Sequence, residues 1–190
     1  MEVNVKFAKV RPDAIIPSKC DEDMGFDIYA CFDEDYMVIE PHETKLIPTG
    51  LASACDPGYG FLLFERGSTG SKGIARRCGV IDSGYRGEWF VGLTNTTNKK
   101  LYISKIEKEK IVDELYDADG MGKAWGSLFS KVAPIRGSLE NGITVYPYSK
   151  AIAQALIFPV PKVNKDVLSY EDLLAISSER GCGALGSSGK

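Results

Sequence analysis

Histidine is almost missing from this chain: His42, in the turn EPHET, is the only one in 190 residues. A histidine general base is therefore excluded everywhere but that turn, and proton transfer would fall to another kind of side chain. Cysteine is sparse and unpatterned. Cys20, Cys31, Cys55, Cys78 and Cys182 show no CxxC spacing, which speaks against a zinc site, and their odd number does not close into a disulfide framework. Reduced thiols in a cytoplasm are the expectation. Long apolar runs are also missing. The N-terminal MEVNVKFAKV has no apolar core of signal-peptide length, and IAQALIFPV is too short to cross a bilayer, so a soluble cytoplasmic protein with no membrane partner is expected. There is no large excess of one charge. A net charge of -3 argues against direct binding along nucleic acid, yet leaves room for a small anionic ligand held by a local cluster of arginines.

What is present is hydrophobic content of 44%, enough for one well-packed domain over residues 1–190, with no linker-like stretch dividing it. Val3, Val5 and Phe7 alternate with polar residues. The runs FDIYACF, DYMVIE, TKLIPTGL, GFLLFER, EWFVGLT, KLYISKI and TVYPY follow, separated by Gly, Pro, Asp and Asn. This pattern predicts an all-β fold closed up as a sandwich, jelly roll or barrel, because an open sheet would leave its edges unpaired. Two segments depart from it. Residues 105–129 are charged and then glycine-spotted, and LSYEDLLAI reads as a short helix capped by Ser169 with Asp172 at the third position.

Four stretches carry chemistry. In GVIDSGYRGEW, Asp82 ends an apolar strand beside a Ser-Gly turn, which places it at a site or makes it an ordinary turn aspartate. FERGSTGSKGI gathers Arg66, Ser68, Thr69, three glycines and Lys72, in the manner of a phosphate cradle or of a flexible hairpin. It is not a Walker A loop, since Lys72 is followed by Gly73. Asp27, inside the strand-like DMGFDIYACF, is either a hydrogen-bonded structural carboxylate or part of a cation site. Gln154, among the apolar residues of SKAIAQALIF, needs partners for its amide, and a backbone contact would serve as well as a ligand.

In order, DMGFDIYA, RGSTGSKGI, GVIDSGYRGE, SKAIAQ and RGCGALGSSG resemble the five motifs of the homotrimeric dUTPases, and EPHETKLIPTGL resembles that family's segment between the first two. The resemblance spans residues 3–98 and 145–190. It implies a distorted jelly roll of the β-clip type and the hydrolysis of dUTP to dUMP and pyrophosphate by in-line attack of water on the α-phosphorus. Such an activity limits uracil in DNA and supplies dUMP for dTMP synthesis. By the same resemblance Asp82 orients and deprotonates the water, while Asp27 helps hold Mg²⁺ through its water shell. Arg66, Gln154 and Arg180, with the hydroxyls of Ser68, Thr69, Ser187 and Ser188, bind the phosphates. The backbone of Cys78, Gly79, Val80 and Ile81 reads uracil, and Tyr85 packs beneath deoxyribose, where a 2'-hydroxyl would clash. Residues 180–190 form an arm that closes over nucleotide, commonly in another subunit's site, with Leu185 and Gly186 over the base.

The chain departs from the family pattern at Gly67, where serine is usual, at Leu185, where an aromatic is usual, and at Lys150 and Ala151 before IAQ. Residues 99–144 form an insertion of about forty residues, far beyond an ordinary connection of about 4–6. Some bacteriophage members carry inserts in this region that contact regulatory proteins, so a regulatory protein partner is a further expectation. A related dCTP deaminase is the alternative enzyme; GVIDSGYRG follows the hydrolase pattern instead.

Overall fold

The structure is a computed structural model that describes residues 2–118, 129–178 and 181–182. Twelve strands are found among the described residues. In chain order they are β1 (Val5–Lys9), β2 (Phe26–Ile28), β3 (Tyr36–Ile39), β4 (Thr44–Pro48), β5 (Leu51–Cys55), β6 (Tyr59–Phe64), β7 (Ile74–Arg77), β8 (Val80–Asp82), β9 (Phe90–Asn95), β10 (Lys100–Ser104), β11 (Ile143–Pro147) and β12 (Ala153–Pro159). They form four small sheets, ordered β1-β5, β11-β10-β3, β2-β12-β6-β8 and β4-β9-β7. The helices are α1 (Gly67–Gly70), α2 (Lys108–Ala118), α3 (Phe129–Gly142) and α4 (Tyr170–Leu174). The all-β, jelly-roll expectation therefore stands.

Side chains alternate faces along a strand, and that period decides which residues meet solvent. In β12, Ala153 and Ala155 are buried while Gln154 between them looks the other way. In β2, Ile28 is fully buried and Asp27 beside it is not. Because β12 pairs with β2 on one side and β6 on the other, Asp27, Gln154 and Phe64 stand in one row across three strands. Beneath that row lies the core, where Phe7, Phe61 and Trp89 meet edge-on or tilted with ring centroids 5.0–5.9 Å apart. Ile28, Leu63, Leu93, Ala153 and Ala155 fill in around them.

The long stretch between β10 and β11 is folded rather than loose where it is described. β10 and β11 run parallel and adjacent, an arrangement that needs a crossover, and α2 and α3 supply it. Ile111 and Val112 of α2 are fully buried against Tyr102 and Ile143, with Tyr36, Val38 and Leu139 alongside. Each such burial is worth about 1.5–3 kcal/mol. Arg136 of α3 ties the helix pair together through Asp113 at 2.8 Å.

The chain divides into two compact units, residues 1–160 and 161–190. In the second unit α4 begins as the sequence predicts: Ser169 Oγ accepts from the Asp172 N–H at 3.1 Å and donates to its carboxylate at 2.7 Å. No helix among the described residues is long and apolar enough to cross a membrane.

Candidate active site

A cavity of about 650 Å³ opens at the end of the β2-β12-β6 row, and Asp27, Arg66, Gly67, Ser68 and Gln154 line it. Arg66 follows β6 by two residues, so its side chain reaches back to β2. Its Nε donates to Asp27 Oδ1 at 2.9 Å and its Nη2 to Oδ2 at 3.0 Å. This fork pairs both carboxylate oxygens in parallel, the strongest geometry such a pair adopts. Both side chains remain about one third exposed, which discounts the stability the pair confers and leaves both reachable by a ligand.

The stretch after Arg66 settles as the single turn α1, not an extended hairpin. The N–H groups of Thr69 and Gly70 both donate to the Arg66 carbonyl, at 3.0 and 2.9 Å. Thr69 is buried, and its hydroxyl accepts from the Arg66 N–H at 3.1 Å and donates to the Arg66 carbonyl at 2.9 Å. Thr69 thus orders the backbone of Arg66 and lies outside the cavity lining, whereas Ser68 is exposed at the cavity. Gln154 finds the backbone partner its burial called for, Nε2 donating to the Glu65 carbonyl at 2.8 Å, and still lines the cavity.

Ser18 lines the cavity from outside any motif, whereas Asp23 and Tyr29 lie within DMGFDIYA and Ser149 and Lys150 within SKAIAQ, where the sequence assigned them no role. Lys150 arrives through the turn in which its N–H donates to the Pro147 carbonyl at 3.0 Å. Next to this wall, burial is the main cause that pushes both the Cys31 thiol and the Tyr148 phenol up from their ordinary values. Both groups stay neutral at physiological pH, and Cys31 is no nucleophile there.

Asp82 does end its strand beside a tight turn, in which the Tyr85 N–H donates to the Asp82 carbonyl at 3.1 Å. Arg86 pins that turn from below, Nη1 donating to the Ser83 carbonyl at 2.6 Å and to the Ser53 carbonyl at 3.2 Å. Tyr85 lies back with its hydroxyl donating to the Glu88 carbonyl at 3.0 Å. Asp82, Tyr85 and the Cys78–Ile81 segment are not brought to the cavity. Asp82 stands opposite Gly60, whereas Gln154 and Asp27 stand at the Phe64 end of β6. Asp27 and Asp82 are three strands and four residues apart, which at about 4.8 Å per strand and about 3.3 Å per residue is on the order of 20 Å. In one chain Asp82 is exposed and lies outside the lining of this cavity. His42, bonded through Nε2 to Asn98 Oδ1 at 3.0 Å, stays in its turn far along the chain from these groups.

The cavity's acids are Asp23 and Asp27, and Asp23 already accepts from the Cys20 N–H at 2.9 Å. Among the described residues no three His, Cys, Asp or Glu side chains cluster closely enough to hold an ion. Two carboxylates, each already engaged, do not suit a metal held wholly by protein; they fit Mg²⁺, which keeps several waters and takes phosphate oxygens as ligands. Of the expected arm, Gly181 adopts a left-handed φ of 52° and is followed by the exposed Cys182. Arg180, Leu185, Gly186, Ser187 and Ser188 lie outside the described residues.

Comparison with known proteins bears on the fold and the family. The dUTPase family model matches residues 12–109, just over half of the chain, and takes in Asp27, Arg66 and Asp82. A deoxyuridine 5'-triphosphate nucleotidohydrolase of Nautilia profundicola is 30% identical over 196 aligned positions, covering 99% of this chain and all of the relative. Among solved structures, the Staphylococcus bacteriophage 80alpha dUTPase with dUPNHPP superposes at a TM-score of 0.65 with 24% identity, over 98% of this chain and 99% of that one. A mutant dUTPase of S. aureus phage phi11, described with a structural Mg(II) ion, gives 0.58 at 19% identity, over 88% of this chain and 99% of that one. At such identities the structural likeness is one of fold. With a family model over just over half of the chain and a relative alike from end to end, the chain belongs to the dUTPase family.

Proposed function

We propose that the chain hydrolyses dUTP to dUMP and pyrophosphate, in a site that more than one copy of it assembles. The observation that carries this reading is the separation of two halves of one chemistry. Asp27, Arg66, Ser68 and Gln154 converge on one cavity, while Asp82 stands opposite Gly60 at the other end of β6, and none of Cys78–Ile81 lines that cavity. A homotrimer, the typical assembly of the family, lets one copy's Asp82 face another copy's cavity.

Within such a site Arg66 and Gln154 grip triphosphate oxygens, helped by Ser68 and by Arg180, Ser187 and Ser188 of the arm. Charge-assisted hydrogen bonds of this kind act most strongly where charge develops on the phosphates. Thr69 holds the Arg66 peptide in place. Asp82 accepts a proton from the water that attacks the α-phosphorus, and pyrophosphate leaves in line. Mg²⁺, when bound with the triphosphate, supplies neutralisation of its charge; Asp27 would hold it through coordinated water. The backbone of Cys78–Ile81 reads uracil and leaves no room for a 5-methyl group. Tyr85 lies beneath the sugar, and Leu185 and Gly186 cover the base.

Pyrophosphate release measured with Mg²⁺ across dUTP, dTTP, UTP and dCTP tests the reading. Release from dUTP far above the other three supports it. Ammonia release from dCTP, or equal rates for all four, contradicts it.

A further inference from the structure

We infer that Arg76 is the positioning residue that fixes the tip of the Cys78–Ile81 hairpin and, through it, the preference for uracil. This rests on the reading that the hairpin contacts the base. Arg76 belongs to β7, just before the tip, and its neighbour Arg77 points away from it toward β9, Nε donating to Thr94 Oγ1 at 3.3 Å. Arg76 instead turns toward β6. Its guanidinium carbon lies 5.6 Å from the centroid of the Phe64 ring, and its Nη1 donates to the Cys78 carbonyl at 3.2 Å. Its own N–H is held by Glu65 Oε1 at 3.0 Å.

Three observations indicate that this placement has a function beyond covering surface. Cys78 has a φ of 55°, a left-handed conformation that a residue with a side chain keeps only when its surroundings hold it there. Gly79 leaves the space that Arg76 uses: a Cβ at Gly79 would stand 2.6 Å from Nη1. Finally, Arg76 Nε is buried with no hydrogen-bond partner among the described residues. An arginine free to choose would turn that donor to water, because leaving a donor unpaired is costly. The contact with Phe64 and Cys78 is kept at that expense.

The consequence falls on the direction of the tip's peptide planes. The Cys78 carbonyl is engaged by Arg76 and the Gly79 carbonyl by the Leu63 N–H at 2.8 Å. With both committed, the two peptide planes at the tip are held in one orientation. Base recognition by backbone groups depends on that direction, since a site built to pair with one edge rejects a base whose groups do not match.

The test compares kcat/KM for dUTP, dTTP and dCTP in the full-length protein carrying Arg76→Met, Arg76→Lys or Gly79→Ala, with thermal unfolding as a check on the fold. Arg76→Met keeps the stem over Phe64 and loses the Cys78 bond, so the preference for dUTP over dTTP and dCTP should fall about tenfold. Arg76→Lys, which retains one donor, should recover part of it. Gly79→Ala, which displaces the guanidinium, should lose preference as Arg76→Met does. An unchanged preference in Arg76→Met beside a lost one in Gly79→Ala overturns the role of Arg76 and leaves base reading by the hairpin intact. No change in either overturns both. An equal loss of kcat/KM for all three nucleotides marks Arg76 as a charge acting on phosphate and likewise overturns the inference. Should Arg76→Met fail to fold, the Lys and Ala variants decide by the same ratios.

Discussion

Arg66 and Asp27 hold each other through two parallel hydrogen bonds, Nε to Oδ1 at 2.9 Å and Nη2 to Oδ2 at 3.0 Å, on the floor of the cavity proposed to take the triphosphate. Each group is the other's partner in the empty chain, so phosphate can engage Arg66 fully only if Asp27 is compensated in another way. Nucleotide and Mg²⁺ should therefore bind interdependently.

Asp27→Asn removes the charge that needs compensation. Calorimetry with a non-hydrolysable dUTP analogue should show Mg²⁺ strengthening binding to the unmodified protein by about tenfold or more, a coupling of ordinary size. In Asp27→Asn that strengthening should shrink severalfold. An undiminished effect of Mg²⁺ would remove Asp27 from the coupling.

Sugar choice is predicted to depend on how Tyr85 lies. Its hydroxyl is held by the Glu88 carbonyl, and a Cβ on Gly87 would run into that hydroxyl. Tyr85→Ala should raise UTP hydrolysis relative to dUTP, and Gly87→Ala should do so to a smaller degree by dislodging the ring. The ratio of kcat/KM values checks this. An unchanged ratio in Tyr85→Ala would show that the ring does not police the 2' position.

The crossover helix is expected to matter for stability. Ile111 is fully buried in the cluster with Tyr102 and Ile143, so Ile111→Ala should cost about 2–5 kcal/mol by lost transfer energy and the cavity left behind. Urea unfolding measures it. A loss under about 0.5 kcal/mol, the usual size for a surface position, would mean that α2 packs loosely on its sheet.

Much of this was legible in local sequence because local physics decides it. Asp82 before Ser-Gly reads as a strand end with a turn, and Ser169 three residues before Asp172 reads as a helix cap; both are present. The motif order of the dUTPases identified the family that the comparisons show. The sequence was silent where distant segments meet. That β12 lies between β2 and β6, lining up Asp27, Gln154 and Phe64, depends on pairing across about a hundred residues or more, for which no local pattern exists. Lys150 and Ser149 line the cavity only because of that pairing. Arg76 and Arg77 are neighbours in the sequence, and no local pattern tells that one goes to Cys78 and the other to Thr94. In the charged stretch after β10, Ile111, Val112 and Leu115 recur at a helical spacing, but the stripe is little more than one turn long and says nothing of the sheet it covers.

The central claim, that Asp82 of one copy serves the cavity of another, is tested most directly by mixing two crippled proteins. Asp82→Asn alone should lower turnover by about a hundredfold or more, the scale of general base catalysis, while leaving nucleotide binding in place, and Arg66→Ala should be comparably impaired. Trimers reassembled from equal amounts of the two contain sites where an intact Asp82 from one variant meets an intact Arg66 from the other. Pyrophosphate release should then recover to about a quarter of the unmodified level, as random assortment in a symmetric oligomer requires. No recovery, in mixtures whose mixed trimers are demonstrated by native mass spectrometry, would contradict a site shared between copies.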